Sequence, residues 1–231
     1  MNADQINAKI YAGRGKVALR LGSSNVVYRP FKASNPLTNP IATISASFNS
    51  GDNKYAMPNM PGDPIWFGDF DARITQAGDY LVRSSDATNI KYIASQQPLL
   101  PIIVIECNRS IMLSRSNINT GISEPTKIGA MPYVGVSVLL SVDVFGTSAA
   151  SGGFIGWPCS IIQGKGGSRV QGALPTSSLS LFGWSIMLPS SIPEIIRAGD
   201  VLTDDLNRNY SVSGAELTDI GWRIAAVEIH Q

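Results

Sequence analysis

The sequence has very few of the residues that most enzymes use for catalysis. It contains one histidine, His230, and two cysteines in 231 residues, and only 15% of its residues are charged. A lone histidine next to the last residue nearly excludes a Ser–His–Asp or Cys–His arrangement and a histidine-based zinc site. We therefore predict a protein that is not an enzyme, with no catalytic residues, no cofactor and no metal site.

The two cysteines, Cys107 and Cys159, lie far apart in apolar surroundings. A disulfide framework would show more cysteines at closer spacings, so we predict buried free thiols. A basic start followed by an apolar stretch is also missing, and the most apolar run, 98–107, is too short to span a bilayer. We expect no signal peptide, no membrane partner and synthesis in a reducing cytosol.

An excess of charge of one sign is absent as well. Lys and Arg number 18 and Asp and Glu number 17, which gives a net charge of +1. Such a chain has no general field that would attract nucleic acid or an acidic membrane. Sequence-specific nucleic-acid binding is therefore not expected.

Three motifs invite a chemical interpretation, and each has a structural one that we favour. Asp69 and Asp71 alternate along a strand edge and are expected to serve a turn or a salt bridge. The run 164–168 lacks the spacing of a phosphate loop and predicts an exposed turn. The oxygen-rich run 204–209 lacks the glycine and distal glutamate of a calcium-binding EF-hand loop.

The first segment, residues 4–21, predicts an α-helix capped by Asn2 or Asp4. Two glycines weaken it, so the helix must dock on something to persist. Its docking partner is either its own β domain or a neighbouring subunit. The apolar residues that recur at helical spacing are Ile6, Ile10, Val17 and Leu21.

From residue 28 onward, prolines and turn residues separate short runs rich in Val, Ile and aromatic residues, which predicts strands. The longest alternation runs from Val134 to Phe145 and predicts one long strand that leads into a flexible loop, 146–153. It is either a central core strand or an arm that pairs with another subunit. The predicted subunit-interface residues are Leu140, Val142, Val144 and Phe145, together with Ile6 and Ile10 of the helix.

An internal duplication organises the chain. Ala77-Gly78-Asp79 is matched by Ala198-Gly199-Asp200, and Glu106 by Glu228, at offsets of 121 and 122 residues. Two further matches pair 66–68 with 181–183, and 46–48 with 159–161, with a six-residue insertion near 189–193. In each Gly-Asp turn, Gly takes a positive φ and Asp caps the backbone.

The predicted fold class is all-β, with two tandem related small antiparallel β-barrel or sandwich modules and a short N-terminal α-helix. We divide the chain into a helix and lead-in (1–30), a first module (31–110), a connector with the long strand and loop (111–153) and a second module (154–231).

The run Gly199-Asp200-Val201-Leu202-Thr203-Asp204-Asp205, continued by Arg208-Asn209-Tyr210-Ser211-Val212, resembles the last third of the head–tail joining (head-closure, or stopper) proteins of tailed bacteriophages. The segments 6–11 and 28–30 resemble uncharacterised phage and prophage structural proteins. The chain differs from a stopper by carrying two modules where a stopper usually has one.

This resemblance implies a ring-forming component of a phage virion, most simply a neck, head–tail connector or tail-completion protein. Its implied partners are copies of itself and other virion proteins, namely portal or adaptor and tail proteins, and its implied location is the virion. A baseplate or tail-hub component is an alternative. A carbohydrate-binding adhesin module is another, because the four tryptophans could form a sugar platform.

Overall fold

The computed structural model describes residues 2–49, 63–97, 99–117, 140–148, 154–163 and 183–229. One α-helix, α1, spans Ala3–Leu21. The first six strands are β1 Ser23–Tyr28, β2 Pro40–Asn49, β3 Ile65–Phe70, β4 Tyr80–Arg83, β5 Asp86–Ser95 and β6 Ile102–Cys107. The next nine are β7 Arg109–Asn117, β8 Leu140–Phe145, β9 Thr147–Ser148, β10 Phe154–Ile155, β11 Trp157–Gln163, β12 Gly183–Leu188, β13 Val201–Asp204, β14 Asn209–Thr218 and β15 Gly221–Ile229.

The strands form two closed antiparallel barrels of six strands each. In the first barrel the order is β1-β2-β3-β6-β5-β4, and β4 pairs with β1 to close it. In the second barrel the order is β7-β11-β12-β15-β14-β13, and β13 pairs with β7. The two orders are the same when the strands of each barrel are counted along the chain. The all-β fold with two related modules and an N-terminal helix is therefore confirmed.

The residue register of the two barrels also agrees. Asp79 and Asp200 lie in equivalent turns, where Gly78 and Gly199 have φ of +94° and +90°. On the neighbouring strands, Lys91 lies opposite Glu106 just as Tyr210 lies opposite Glu228. The two aspartates and the two glutamates keep the predicted offsets of 121 and 122 residues, and Lys91 and Tyr210 are 119 residues apart, so the duplication extends to individual cross-strand partners.

One of the sequence matches is wrong in register. Trp66 lies opposite Val104, and its counterpart opposite Ala226 is Trp184, three residues beyond the position that the 66–68 match assigns to it. A short aromatic-glycine motif cannot fix strand register, whereas backbone pairing does. The match of 46–48 with 159–161 agrees with the pairing of β2 with β3 and of β11 with β12.

The first strand of each barrel lies outside the modules drawn from the sequence. β1 falls in the segment 1–30, and most of β7 falls in the segment 111–153, yet each strand closes its barrel. Neither stretch contains a glycine–aspartate turn, and the sequence matches therefore began one strand too late in both copies.

An arginine secures each Gly-Asp turn by the same contacts. Arg29 Nε and Nη2 donate to the Asp79 carboxylate at 3.0 and 2.8 Å, and Arg115 donates to Asp200 at 2.8 and 2.9 Å. Burial alone would raise the pKa of Asp200, but hydrogen bonds from Arg115 and from the backbone N–H of Arg197 outweigh it and hold the pKa below its ordinary value. The turn is a structural unit of the barrel.

The two barrels share a hydrophobic core. The interior of the second barrel is continuous with the outer face of β4, β5 and β6, where Tyr80, Tyr92 and Ile105 are fully buried. The Tyr80 hydroxyl donates to the Pro158 carbonyl at 2.8 Å, and the Ser191 hydroxyl donates to the Gly78 carbonyl at 2.9 Å. The barrels therefore form one packed body.

Helix α1 begins at a capping box and packs across the first barrel. Asn2 Oδ1 accepts from the Gln5 N–H at 2.9 Å, and the helix contacts β2 and β3. A Cβ at Gly15 would lie 2.9 Å from the Asp71 Cβ, so glycine permits the close approach of helix and sheet. Of the helices in the described residues, none has the length and apolar character needed to cross a membrane.

Candidate functional site

The apolar residues that predict α1 are not the residues that pack it on its barrel. Ala18 is fully buried and Tyr11 packs against the barrel core, whereas Ile6 and Val17 remain 44% exposed and Leu21 76% exposed. We call Ile6, Ile10, Val17 and Leu21 the apolar stripe. At 100° per residue these four side chains share one face of the helix, to one side of the buried face. Within the part of the chain that the structure describes, the stripe is a largely exposed apolar surface, with Ile10 half-buried.

Three cations border the stripe. Lys9, Lys16 and Arg20 are exposed and project from the helix face next to it. A surface that combines exposed aliphatic side chains with a basic border is suited to an apolar partner that carries acidic residues.

A second candidate site is the open end of the first barrel, which we call the first mouth. All six strands of the barrel and the end of α1 line a cavity of about 330 Å³ there. The side chains used in the argument are Ser23, Phe48, Trp66, Arg83, Lys91 and Glu106. Mouths of β-barrels are common positions for small-molecule sites.

Lys91 is the buried cation of the first mouth, with 6% of its surface exposed. Its ammonium donates to Asn89 Oδ1 at 2.8 Å and to Glu106 Oε1 at 3.2 Å. It also lies 5.2 Å from the ring centroid of Phe48 and 5.7 Å from that of Trp66, which gives two cation–π contacts. The Trp66 indole N–H donates to the other Glu106 oxygen at 2.9 Å.

The equivalent end of the second barrel, the second mouth, has a different set of side chains. The Asp204 carboxylate accepts from the Tyr210 hydroxyl at 3.1 Å and from Arg208 Nε at 2.9 Å. The Arg208 guanidinium also lies 5.6 Å from the ring centroid of Trp184. Burial alone would raise the pKa of Asp204, but hydrogen bonds from the Arg208 backbone and side chain outweigh it and lower the pKa.

The motifs with a possible catalytic or metal role have structural contacts. Asp71 is paired with Arg73, whose Nε donates to it at 2.8 Å, and Asp204 is paired with Arg208. Among the described residues, no group of three or more His, Cys, Asp or Glu side chains is arranged to hold a metal ion. The run 164–168 and His230 lie outside the described residues.

The four tryptophans do not form one sugar platform. Trp157 is 1% exposed and Trp222 is 7% exposed, since both lie in the shared core. Trp66 and Trp184 are half-buried, and each lies at the mouth of its own barrel.

Both cysteines are buried free thiols, as the sequence predicts. Desolvation raises the pKa of Cys107 and of Cys159 above the ordinary thiol value. The thiols therefore stay protonated and are poor nucleophiles at neutral pH.

The predicted interface residues of the long strand have different outcomes. Phe145 is 1% exposed and makes an edge-to-face contact with Trp157 at 5.9 Å, so it is a core residue and is not available to a neighbour. The side chains of Leu140, Val142 and Val144 lie outside the described part of the chain, as do residues 134–139. Ile6 is exposed and Ile10 is half-buried, both on the apolar stripe.

Sequence reasoning missed the two mouths as paired sites. Lys91 interrupts the apolar run 90–93, and a charged residue within such a strand was the signal available for the first mouth. The corresponding cation of the second mouth, Arg208, lies in a turn, so the two copies of the sequence have no shared residue that marks both mouths.

Comparison of the chain with protein-family models, with curated proteins and with solved structures gives no match.

Proposed function

We propose that this chain is a structural subunit of a tailed-bacteriophage virion, made in the host cytoplasm and assembled into a ring at the neck, as a head–tail connector or tail-completion protein. The observation that carries the proposal is the apolar stripe of α1. A helix that packs through Tyr11, Gly15 and Ala18 while its aliphatic residues face solvent is typical of a surface that another subunit covers. The resemblance of residues 199–212 to stopper proteins supports a ring at the neck as the type of assembly.

Ring closure requires two different surfaces that meet head to tail. The surface on this chain that best complements the stripe is the tip of the β14–β15 hairpin on the second barrel. There Leu217 is 55% exposed, and the exposed Asp219 lies in the adjoining turn. An exposed leucine with a carboxylate in the adjoining turn complements the exposed aliphatic residues and the basic border of the stripe.

The first test is disruption of the stripe. In Val17→Asp/Leu21→Asp, both changes fall on exposed positions, so the chain should keep its circular dichroism and its melting temperature. Ring formation by the purified protein, alone or with portal and tail proteins, should be lost in light scattering and negative-stain microscopy. Ile195→Asp, an equally exposed position on the second barrel, is the control and should assemble normally. Rings from the double variant indistinguishable from the unmodified chain would overturn the proposal.

The second test concerns the hairpin partner. Lys16→Glu should weaken ring formation because it places a carboxylate against the acidic hairpin, and Asp219→Lys should weaken it through repulsion between cations. Combining the two restores an opposite-charge pair and should recover assembly. Additive weakening in the combined variant would show that the stripe has a different partner.

Two other roles are distinguished by the proteins and glycans that the ring binds. A baseplate or tail-hub component would co-assemble with tail-tip proteins and not with the portal or adaptor. A carbohydrate-binding adhesin would bind neutral oligosaccharides at the Trp66 or Trp184 position, and an array of neutral glycans on the assembled protein separates it from the neck role.

A further inference from the structure

The duplication makes the two mouths comparable position by position. By strand register, Arg83 of the first barrel is equivalent to Asp204 of the second, because each lies two residues after the core leucine of its strand, Leu81 or Leu202. Lys91 is equivalent to Tyr210, because each lies opposite that leucine. The two equivalent inward positions therefore hold two cations, Arg83 and Lys91, in the first barrel. In the second barrel they hold an acid and a phenol, Asp204 and Tyr210.

The second mouth contains its own carboxylate. Besides Tyr210 and Arg208, the Asp204 carboxylate accepts from the backbone N–H groups of Leu206 and Arg208 at 2.9 and 2.8 Å. Its hydrogen-bonding capacity is thus met within the chain, and the aromatic rings of Trp184 and Tyr210 pack edge to face at 5.9 Å beside it.

The first mouth has an open cavity where the second has this internal carboxylate. Arg83 and Lys91 both line the cavity. Glu106 is engaged by Lys91 and Trp66, and Arg83 donates to the Ser23 hydroxyl at 3.3 Å and also interacts electrostatically with Asp86 outside the cavity lining. Among the described lining residues there are two cations and one carboxylate, so the cavity has an excess of positive charge.

We propose that the first mouth binds a small organic acid, of the size of a single acidic sugar, whose carboxylate takes the place that the Asp204 carboxylate has in the second mouth. A guanidinium is suited to bidentate recognition of a carboxylate, and the buried Lys91 ammonium acts in a poorly screened environment. Ser23, Ser47 and Asn89 supply neutral hydrogen-bonding groups for hydroxyls, and Trp66 and Phe48 supply apolar surface. A volume of about 330 Å³ limits the ligand to this size.

The test compares glucuronate with glucose, which have the same ring size and differ in the carboxylate. Binding is measured by calorimetry and by the indole N–H resonance of Trp66, whose hydrogen bond to Glu106 makes it a local reporter. Glucuronate should bind saturably and shift that resonance. Glucose should bind at least about tenfold more weakly, which corresponds to about 1.4 kcal/mol.

Arg83→Gln is the decisive variant, because Arg83 is half-buried and its loss should leave the fold intact. It should weaken glucuronate binding at least about tenfold with an unchanged melting temperature. Arg208→Gln, which removes the cation of the second mouth, should leave glucuronate binding unchanged. Equal binding of glucose and glucuronate, no saturable binding of either, or full binding by Arg83→Gln would each overturn the proposal.

The site does not depend on ring assembly. Binding by Val17→Asp alone, whose position on the stripe is outside the cavity lining, should equal that of the unmodified chain, so failure of the ring proposal and failure of the ligand proposal are measured separately.

Discussion

Two glycines at equivalent places experience different surroundings. Gly78 and Gly199 have the same positive φ, which side chains rarely adopt, and each precedes the aspartate that an arginine secures. A Cβ at Gly78 would lie 2.7 Å from the Cβ of Ser191 in the other barrel, whereas a Cβ at Gly199 would meet nothing within 4 Å. The first glycine therefore serves both a turn and the contact between barrels.

This difference predicts unequal costs for the same substitution. Gly199→Ala should lower the free energy of unfolding by about 1–2 kcal/mol, the cost of left-handed backbone for a residue with a Cβ. Gly78→Ala should cost more, because Ser191 must also move and its hydrogen bond to the Gly78 carbonyl is strained. Chemical denaturation of both variants checks the order. Equal costs would contradict the close approach at Ser191.

Among the elements, β8 is the one for which the sequence left two roles open, a core strand or an arm that pairs with another subunit. It extends the line of β11 along the second half of β7, and its last residue, Phe145, is inside the core. In the strict alternation over 134–145, Phe145 lies on the face opposite to Val142 and Val144, and alternation does not tell which face is covered by the same chain and which by a neighbour. The aromatic partner, Trp157, is close only after the chain has folded.

The position of Phe145 predicts a stability effect. Phe145→Ala should lower the free energy of unfolding by about 3–5 kcal/mol, the usual cost of removing a buried phenylalanine. Once folded at low temperature, this variant should assemble as the unmodified chain does.

Val142→Asp/Val144→Asp remains expected to lose assembly while staying soluble, and its insolubility would assign these two positions to the core as well.

The α-helix illustrates how much the sequence determines and where tertiary packing intervenes. Its span, its Asn2 cap and its apolar spacing were predictable, because each depends on residues close in sequence. Which face would pack was not predictable, since it is decided by the burial of Ala18 and by the close approach of Asp71 to Gly15. The aliphatic residues at helical spacing were expected to dock the helix, and Tyr11, Gly15 and Ala18 make its contact with the barrel.

For the whole molecule, the duplication was predictable from the glycine–aspartate turns, and the closure of each barrel was not. β1 and β7 carry no turn motif of their own, and their role depends on pairing with strands made much later in the chain. The two mouths were likewise not predictable from the sequence. Their equivalent positions hold different residues, and only strand register relates those positions.

The shared core predicts that the two barrels unfold together. Calorimetry should show one transition in which the van't Hoff and calorimetric enthalpies agree. Tyr80→Phe, which removes the hydrogen bond to the Pro158 carbonyl, should lower stability by about 1 kcal/mol and keep the single transition. Two resolved transitions would mean that each barrel is stable alone and that the joint core contributes little.

The order in which the strands are synthesised gives this shared core a further consequence. The first barrel can close as soon as β6 has left the ribosome, but the face formed by Tyr80, Tyr92 and Ile105 then has no cover. The second barrel needs β15, more than a hundred residues later, and translation at about 5–20 residues per second makes that a delay of roughly ten seconds. During this interval the nascent chain exposes an aromatic surface, and its yield in the cell should depend on chaperones that bind such surfaces and on the speed of translation.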